Sequence, residues 1–178
     1  MALSRLSITQ TVVPSARKRL RQGIGALFAR RSGVTLPDRY GAALPDGIRH
    51  HWNRLSPYDQ RHLLAVADDL RRSGAPDTVV LAGVLHDIGK GAGTSVMSRA
   101  VIVLLKRFAP SLATRLRASS SPPPGLKRLH LLMNHADIGA RLLESHGVRQ
   151  EIVWLVRNHE ATSSHPYLVA LQQADSRH

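Results

Sequence analysis

The chain has 178 residues, 43 % of them apolar, and no cysteine, which suits one soluble domain with its own core and excludes disulfides and thiolate metal sites. The net charge of +13 is unevenly spread: no acid precedes Asp38, and none lies between Asp87 and Asp137, where eight Lys or Arg occur. Such a field attracts phosphates, nucleic acid or anionic lipid, while no apolar run approaches the ~20 residues of a transmembrane segment and no secretory leader is evident, so a cytoplasmic location is expected.

In chain order, Ser15 to Arg31 reads as a basic amphipathic helix with Leu20, Ile24, Leu27 and Phe28 on one face. Residues 1–40 are read as a basic extension packed on the domain through that stripe, and residues 41–178 as the domain itself. Nucleic-acid binding by the extension is not favoured, since no aromatic residues are interleaved with its cations. Ile48, Trp52 and Leu55 mark a short helix. Ser56-Pro57-Tyr58-Asp59 then supplies an N-cap, a proline at the first helical position and a capping-box acid. The helix it opens carries His62, Val66 and Leu70 and ends near Ser73-Gly74. Pro76 opens the next, with a stripe of Leu81, Val84, Leu85 and Ile88. Val96 to Phe108 is expected to be helical and to stop at Pro110, and Ser119 to Gly125 reads as an exposed loop. Further helices are expected at His135–His146, closed by Gly147, at Arg149–Glu160, and from Pro166 onward. No run alternates with period two, so the fold class is all-α.

The informative segment is Leu85-His86-Asp87-Ile88-Gly89-Lys90. Adjacent helical residues diverge by about 100°, so His86 and Asp87 chelate one ion poorly alone, yet they suit a metal pair if other helices complete the set. A carboxylate has two oxygens and can bridge. Gly89 is read as the helix end, and Lys90 as a cation beside the site. His62, His135, His159 and Asp175 sit at the edges or ends of apolar stripes and are the candidate partners. Of the other histidines, His51 is expected to be packed and His50, His130, His146, His165 and His178 to lie on the surface, with His165 near the mouth of the site.

The order His62, His86-Asp87, His135, His159, Asp175, together with the stretches DQRHLLAVADDL, LAGVLHDIGKG, NHADIGARLL, VRNHE and LQQAD, resembles the HD superfamily of metal-dependent phosphohydrolases over Leu55 to Asp175. The resemblance implies a compact HD-type helical bundle around a buried metal site. It implies His62, His86, Asp87 and Asp175 as ligands of one ion, with His135 and His159 added in dinuclear members, where Asp87 bridges. It departs from the HD-GYP group: Glu160 follows His159 where a second His is usual, and Ala161 to Tyr167 reads ATSSHPY in place of a Gly-Tyr-Pro signature.

A nitrogen-rich set with a bridging carboxylate suits one or two divalent transition metal ions, Fe, Mn, Co, Ni or Zn, above magnesium or calcium. The activity expected is hydrolysis of a nucleotide or other phosphorylated small molecule, with Asp87 and Lys90 catalytic and Lys90 and His165 contacting substrate. A cyclic nucleotide or cyclic dinucleotide phosphodiesterase and a non-catalytic metal- or nucleotide-binding regulator are the alternatives. Nothing in the sequence fixes the substrate or the oligomeric state.

Overall fold

In the computed structural model, residues 34–91, 102, 104–105, 107–119 and 121–178 are described; the amphipathic stripe expected at Ser15 to Arg31 and most of the segment from Val96 fall outside them. Every regular element among the described residues is helical. In order they are α1 (Asp38–Gly41), α2 (Asp46–Asn53), α3 (Pro57–Arg72), α4 (Asp77–Leu85), a 3-10 turn (Ile88–Lys90), α5 (Pro110–Ala118), a second 3-10 turn (Pro124–Leu126), α6 (Lys127–Met133), α7 (His135–Ser145), α8 (Gln150–Asn158) and α9 (Pro166–Arg177).

The start of α3 follows the expected cap: Pro57 occupies the first turn and the Ser56 hydroxyl accepts the Asp59 N–H at 3.1 Å. The Asp59 carboxylate meets the Ser56 hydroxyl as well. Its far end is a Schellman turn. Gly74, at φ 77°, lets the Ala75 N–H reach Leu70 O at 3.0 Å and its own N–H reach Arg71 O at 3.1 Å. Gly147, at φ 69°, repeats the device after α7, with Val148 N–H on Leu143 O at 3.1 Å.

Helix α4 is not the one-faced helix that its sequence stripe suggests. Thr78 through Leu85 are buried without interruption, because α3, α8 and α9 all pack around it. Gly83 admits α3 closely: a Cβ there would sit 2.8 Å from Leu70 Cδ1. The main core runs from Leu36 and Tyr40, which precede the expected boundary at residue 41, through Trp52, Leu63, Leu85 and Leu155 to Leu171 and Ala174. Trp52 is fully buried.

Three sequence expectations are corrected. Pro110 does not merely stop a helix but opens α5, because proline needs no amide partner in a first turn. Helix α6 follows the proline-rich stretch almost at once, its start set by a 3-10 turn on Pro124. His130 and His146 are half-buried and not on the surface. His130 Nδ1 donates to Leu116 O at 3.0 Å, tying α6 to α5, and the His146 ring lies over Gly47 and against His51.

Asp68 on α3 anchors α1. It accepts from the Tyr40 hydroxyl and from Arg39 Nη2, the latter at 3.0 Å. Burial pushes the Asp68 carboxyl up, but those two donors outweigh it and hold it below the usual carboxylate range. A depressed carboxylate contributes stability above its unfolded pKa of about 4, and that contribution is lost as pH falls through the lower folded value. Denaturant midpoints should therefore drop between neutral and acid pH, and Asp68→Asn should flatten that drop while lowering stability at pH 7. An unchanged acid slope in the variant would show that Asp68 is energetically silent.

Candidate metal centre

Four buried polar side chains, His86, Asp87, His135 and His159, converge beyond the end of α4, with His62 and Asp175 beside them. They come from separate pieces of chain: His62 from α3, His86 and Asp87 from the turn after α4, His135 from the start of α7, His159 just past α8, and Asp175 from α9. The sequence-expected ligands are thus brought together as one group.

Asp87 sits at the middle, and its two oxygens face different ways. Oδ1 lies 3.1 Å from His135 Nε2 and 3.9 Å from His159 Nε2. Oδ2 lies 3.7 Å from His86 Nε2 and is paired with the Lys90 ammonium. Asp175 Oδ1 lies 2.9 Å from His62 Nε2 and 3.5 Å from His86 Nε2. Two groups are compact enough to hold a divalent cation: His62, His86 and Asp87, and Asp87, His135 and His159.

The imidazoles are prepared for that use by their own helices. Nδ1 of His86 meets Gly83 O at 3.0 Å, Nδ1 of His135 meets Leu132 O at 2.7 Å, and Nδ1 of His159 meets Val156 O at 2.7 Å. A carbonyl only accepts, so each Nδ1 carries the hydrogen and each neutral ring turns an Nε2 lone pair inward. His86 Nε2 is fully buried with no hydrogen-bond partner. His135 Nε2 and His159 Nε2 face each other at 3.1 Å. Two lone pairs at that distance repel unless a proton or another cation lies between or beside them. Inward-turned imidazole nitrogens around a buried carboxylate, one of them without a partner, fit a metal ion, and imidazole suits a transition metal.

The electrostatics point the same way. Burial and the neighbouring His86 push His159 down to about 4, so it is neutral near pH 7. Burial also pushes His86 down, but Asp87 and Asp175 outweigh it and hold it above its ordinary value. That nitrogen therefore attracts positive charge. Asp87 would be raised by burial, yet Lys90 and His86 keep it well below the usual carboxylate range. Asp175 is likewise depressed, His62 and His86 outweighing its burial.

Three positions that shape the site were misread or missed in the sequence. Gly89 does not end α4, which stops at Leu85. It gives room for a backbone crossing: a Cβ there would lie 2.0 Å from His135 O and 2.5 Å from Gly139 N. Gly139 completes the crossing from α7, its own Cβ falling 3.2 Å from Gly89 N. The repeated Asp-Ile-Gly at 87–89 and 137–139 was the available signal. Gln172 on α9 donates to His159 O at 2.9 Å and to Ala161 O at 2.7 Å, fixing the chain as it leaves the site. Glu160 is exposed and belongs to neither ligand group. His165 is exposed too; its ring contacts are Trp154 and Tyr167, at 4.8 and 5.6 Å between centroids, and not the ligand cluster.

Residues 60–178 match a family model described as HD domain. No curated protein and no solved structure matches the chain.

The glycine crossing yields a graded test. Gly89→Ala should cost about 3 kcal/mol, because the intruding methyl meets backbone that cannot yield. Gly139→Ala should cost about 1 kcal/mol, and Gly47→Ala less, since the His146 ring it meets can swing away. Chemical denaturation of the three variants measures the order; equal losses would mean that the crossing is not tight.

Proposed function

The chain belongs to the HD domain family, and from that membership we propose that it is a metal-dependent phosphohydrolase acting on a nucleotide or other phosphorylated small molecule. The observation that carries the reading is the Asp87 carboxylate, with one oxygen toward His135 and His159 and the other toward His86. In this reading His62, His86, Asp87 and Asp175 hold one divalent transition metal ion, Asp87, His135 and His159 hold a second, and Asp87 is shared. Divalent ions bound there supply Lewis acidity toward phosphate oxygens and make water a better nucleophile near neutral pH.

The remaining chemistry belongs to the chain. Hydrolysis joins a water oxygen to phosphorus and releases the ester oxygen with a proton, so negative charge builds on the phosphoryl oxygens. Lys90, largely sequestered from solvent and resting on Asp87 Oδ2, is a cation fixed beside the ligand cluster and neutralises that charge. The lowered proton affinity of His159 keeps its lone pair free at working pH. The Gly83, Leu132 and Val156 carbonyls hold the rings so that no reorientation is needed as ligands bind. The stretch from Ile88 to Ala136 carries eight Lys or Arg and no acid, a charge balance that favours an anionic substrate.

After reconstitution with manganese, iron or zinc, elemental analysis should find between one and two ions per chain. His135→Ala and His159→Ala should each lose one ion selectively. Absence of bound metal under all three conditions removes the central claim, and full occupancy in both His variants reduces the site to a single ion.

In a phosphatase and phosphodiesterase screen with the manganese-loaded protein, Asp87→Ala should abolish whatever activity is found. Lys90→Ala should retain metal but lower kcat by about a hundredfold, as loss of a charge-stabilising donor does. Unchanged turnover would leave Lys90 as nothing more than the counter-ion of Asp87.

A further inference from the structure

We propose that the excursion formed by the described residues between 102 and 133 is a docking surface for an anionic lipid bilayer. Among the described residues, the most exposed large apolar side chains are Phe108 at 75 %, Leu104 at 55 % and Leu112 at 51 %, and Leu126 joins them at 38 %. All four belong to this one excursion. They are not failed core positions, because the excursion has a separate small core: Ala113, Leu116 and Met133, with Ile102, Leu105 and Leu129 against it. The outward leucines and phenylalanine are surplus to that core.

The charged residues of the same excursion carry one sign. Arg107, Arg115, Arg117, Lys127 and Arg128 are exposed, and no acidic residue occurs between Asp87 and Asp137. The Arg107 guanidinium lies 5.6 Å from the centroid of the Phe108 ring. Exposed apolar side chains among cations, with no acid, match the edge of an anionic bilayer: the apolar groups enter the acyl boundary and the cations meet headgroup phosphates and carboxylates. No described helix is long and apolar enough to cross a membrane, so the seating is interfacial.

Charge decides among the occupants. The amphipathic stripe Leu20, Ile24, Leu27 and Phe28 offers apolar area, but its segment carries Arg17, Lys18, Arg19, Arg21, Arg30 and Arg31 and no acid. Laying it on this face sets cation against cation. A second copy meeting the same face has the same fault, since a two-fold contact opposes the patch to itself. Nucleic acid would satisfy the cations and leave three leucines unused, with Phe108 as the one aromatic among the exposed apolar residues of the excursion.

The test is co-sedimentation of the full chain with vesicles of phosphatidylcholine alone and of phosphatidylcholine with about a third phosphatidylglycerol. Binding is expected to the anionic vesicles alone and to weaken steeply with salt. Phe108→Asp with Leu112→Asp should abolish it, and Lys127→Gln or Arg128→Gln should each weaken it about fivefold. These side chains are exposed, so thermal melts followed by circular dichroism should match the parent; should the double Asp variant melt early, the two Gln variants carry the test. Four results overturn the proposal. One is no sedimentation with either vesicle. Another is sedimentation that persists undiminished in a folded double Asp variant, or in both Gln variants. The third is a concentration-dependent dimer that the double Asp variant dissolves, in a chain that ignores vesicles. The last is salt-sensitive binding to RNA or DNA in place of vesicles.

Discussion

A carboxylate that must stay ionised inside the protein is the constraint on which the centre depends. Asp87 is buried, and moving an unpaired carboxylate out of water costs several kcal/mol even after relaxation. The charge is tolerable only if donors or cations surround it. Lys90 supplies one, three residues along the same turn, while His135 turns a bare Nε2 toward the other oxygen at 3.1 Å, an approach that a shared cation makes favourable. The arrangement uses both oxygens and leaves Nε2 of His86 without a hydrogen-bond partner. A site built merely to neutralise Asp87 would not need three imidazoles with their Nδ1 hydrogens already committed to carbonyls. The surplus of inward lone pairs is what distinguishes a ligand set from a buried ion pair.

Holding that set requires precision in elements far apart in sequence. α4 is buried on all sides, so its C-terminal turn cannot drift, and the His-Asp pair inherits that rigidity. The Gly89–Gly139 crossing brings the first turn of α7 against the turn carrying Asp87. Gln172 clamps the His159 carbonyl from α9, which also delivers Asp175. At the outer end of α9, Arg177 Nε donates to Asp69 on α3 at 2.7 Å. That pair is exposed and adds little stability by itself, but it joins the helix bearing Asp175 to the helix bearing His62.

How much of this could be read from the sequence depended on whether the signal was local. The Ser56 cap and the Gly74 and Gly147 turns are decided within a few residues, so composition and spacing located the ends of α3 and α7 closely. The helices carrying His62, His135, His159 and Asp175 were legible for the same reason. Their convergence was legible from residue type and order, since an HD-like series of His and Asp at helix edges has few other uses. What the sequence hid is relational. Nothing in a stripe of Leu81, Val84 and Leu85 says that three neighbours will bury the opposite face of α4 as well. Gly89 looked like a helix stop because glycine commonly is one, whereas its reason lies in the carbonyl of residue 135. Pro110 looked like a terminator, although proline suits a first turn equally well. The direction in which each Asp87 oxygen faces is a matter of ångströms and has no sequence signature.

The excursion formed by the described residues between 102 and 133 follows a different logic from the rest. Its core, Ala113, Leu116 and Met133, is small, and at roughly 25 cal/mol per Å² such a core offsets little of the entropy of ordering the segment. Hydrogen bonds help at one end: His130 reaches Leu116 O, and the Asn134 amide reaches Arg117 O at 3.2 Å and His130 O at 3.0 Å. Those bonds tie α5 to α6, and Leu132 O carries the tie on to the His135 ring at 2.7 Å. The main core, by contrast, binds α3, α4, α7, α8 and α9 together, and all six candidate ligands lie on or just past those helices. The excursion bears on the metal centre at its far end, where Leu132 O fixes the His135 ring. Among the described residues, the large exposed apolar side chains outside this stretch are Trp154 and Tyr167, so Leu104, Phe108 and Leu112, kept in water on a small local core, mark a surface shaped by something other than folding.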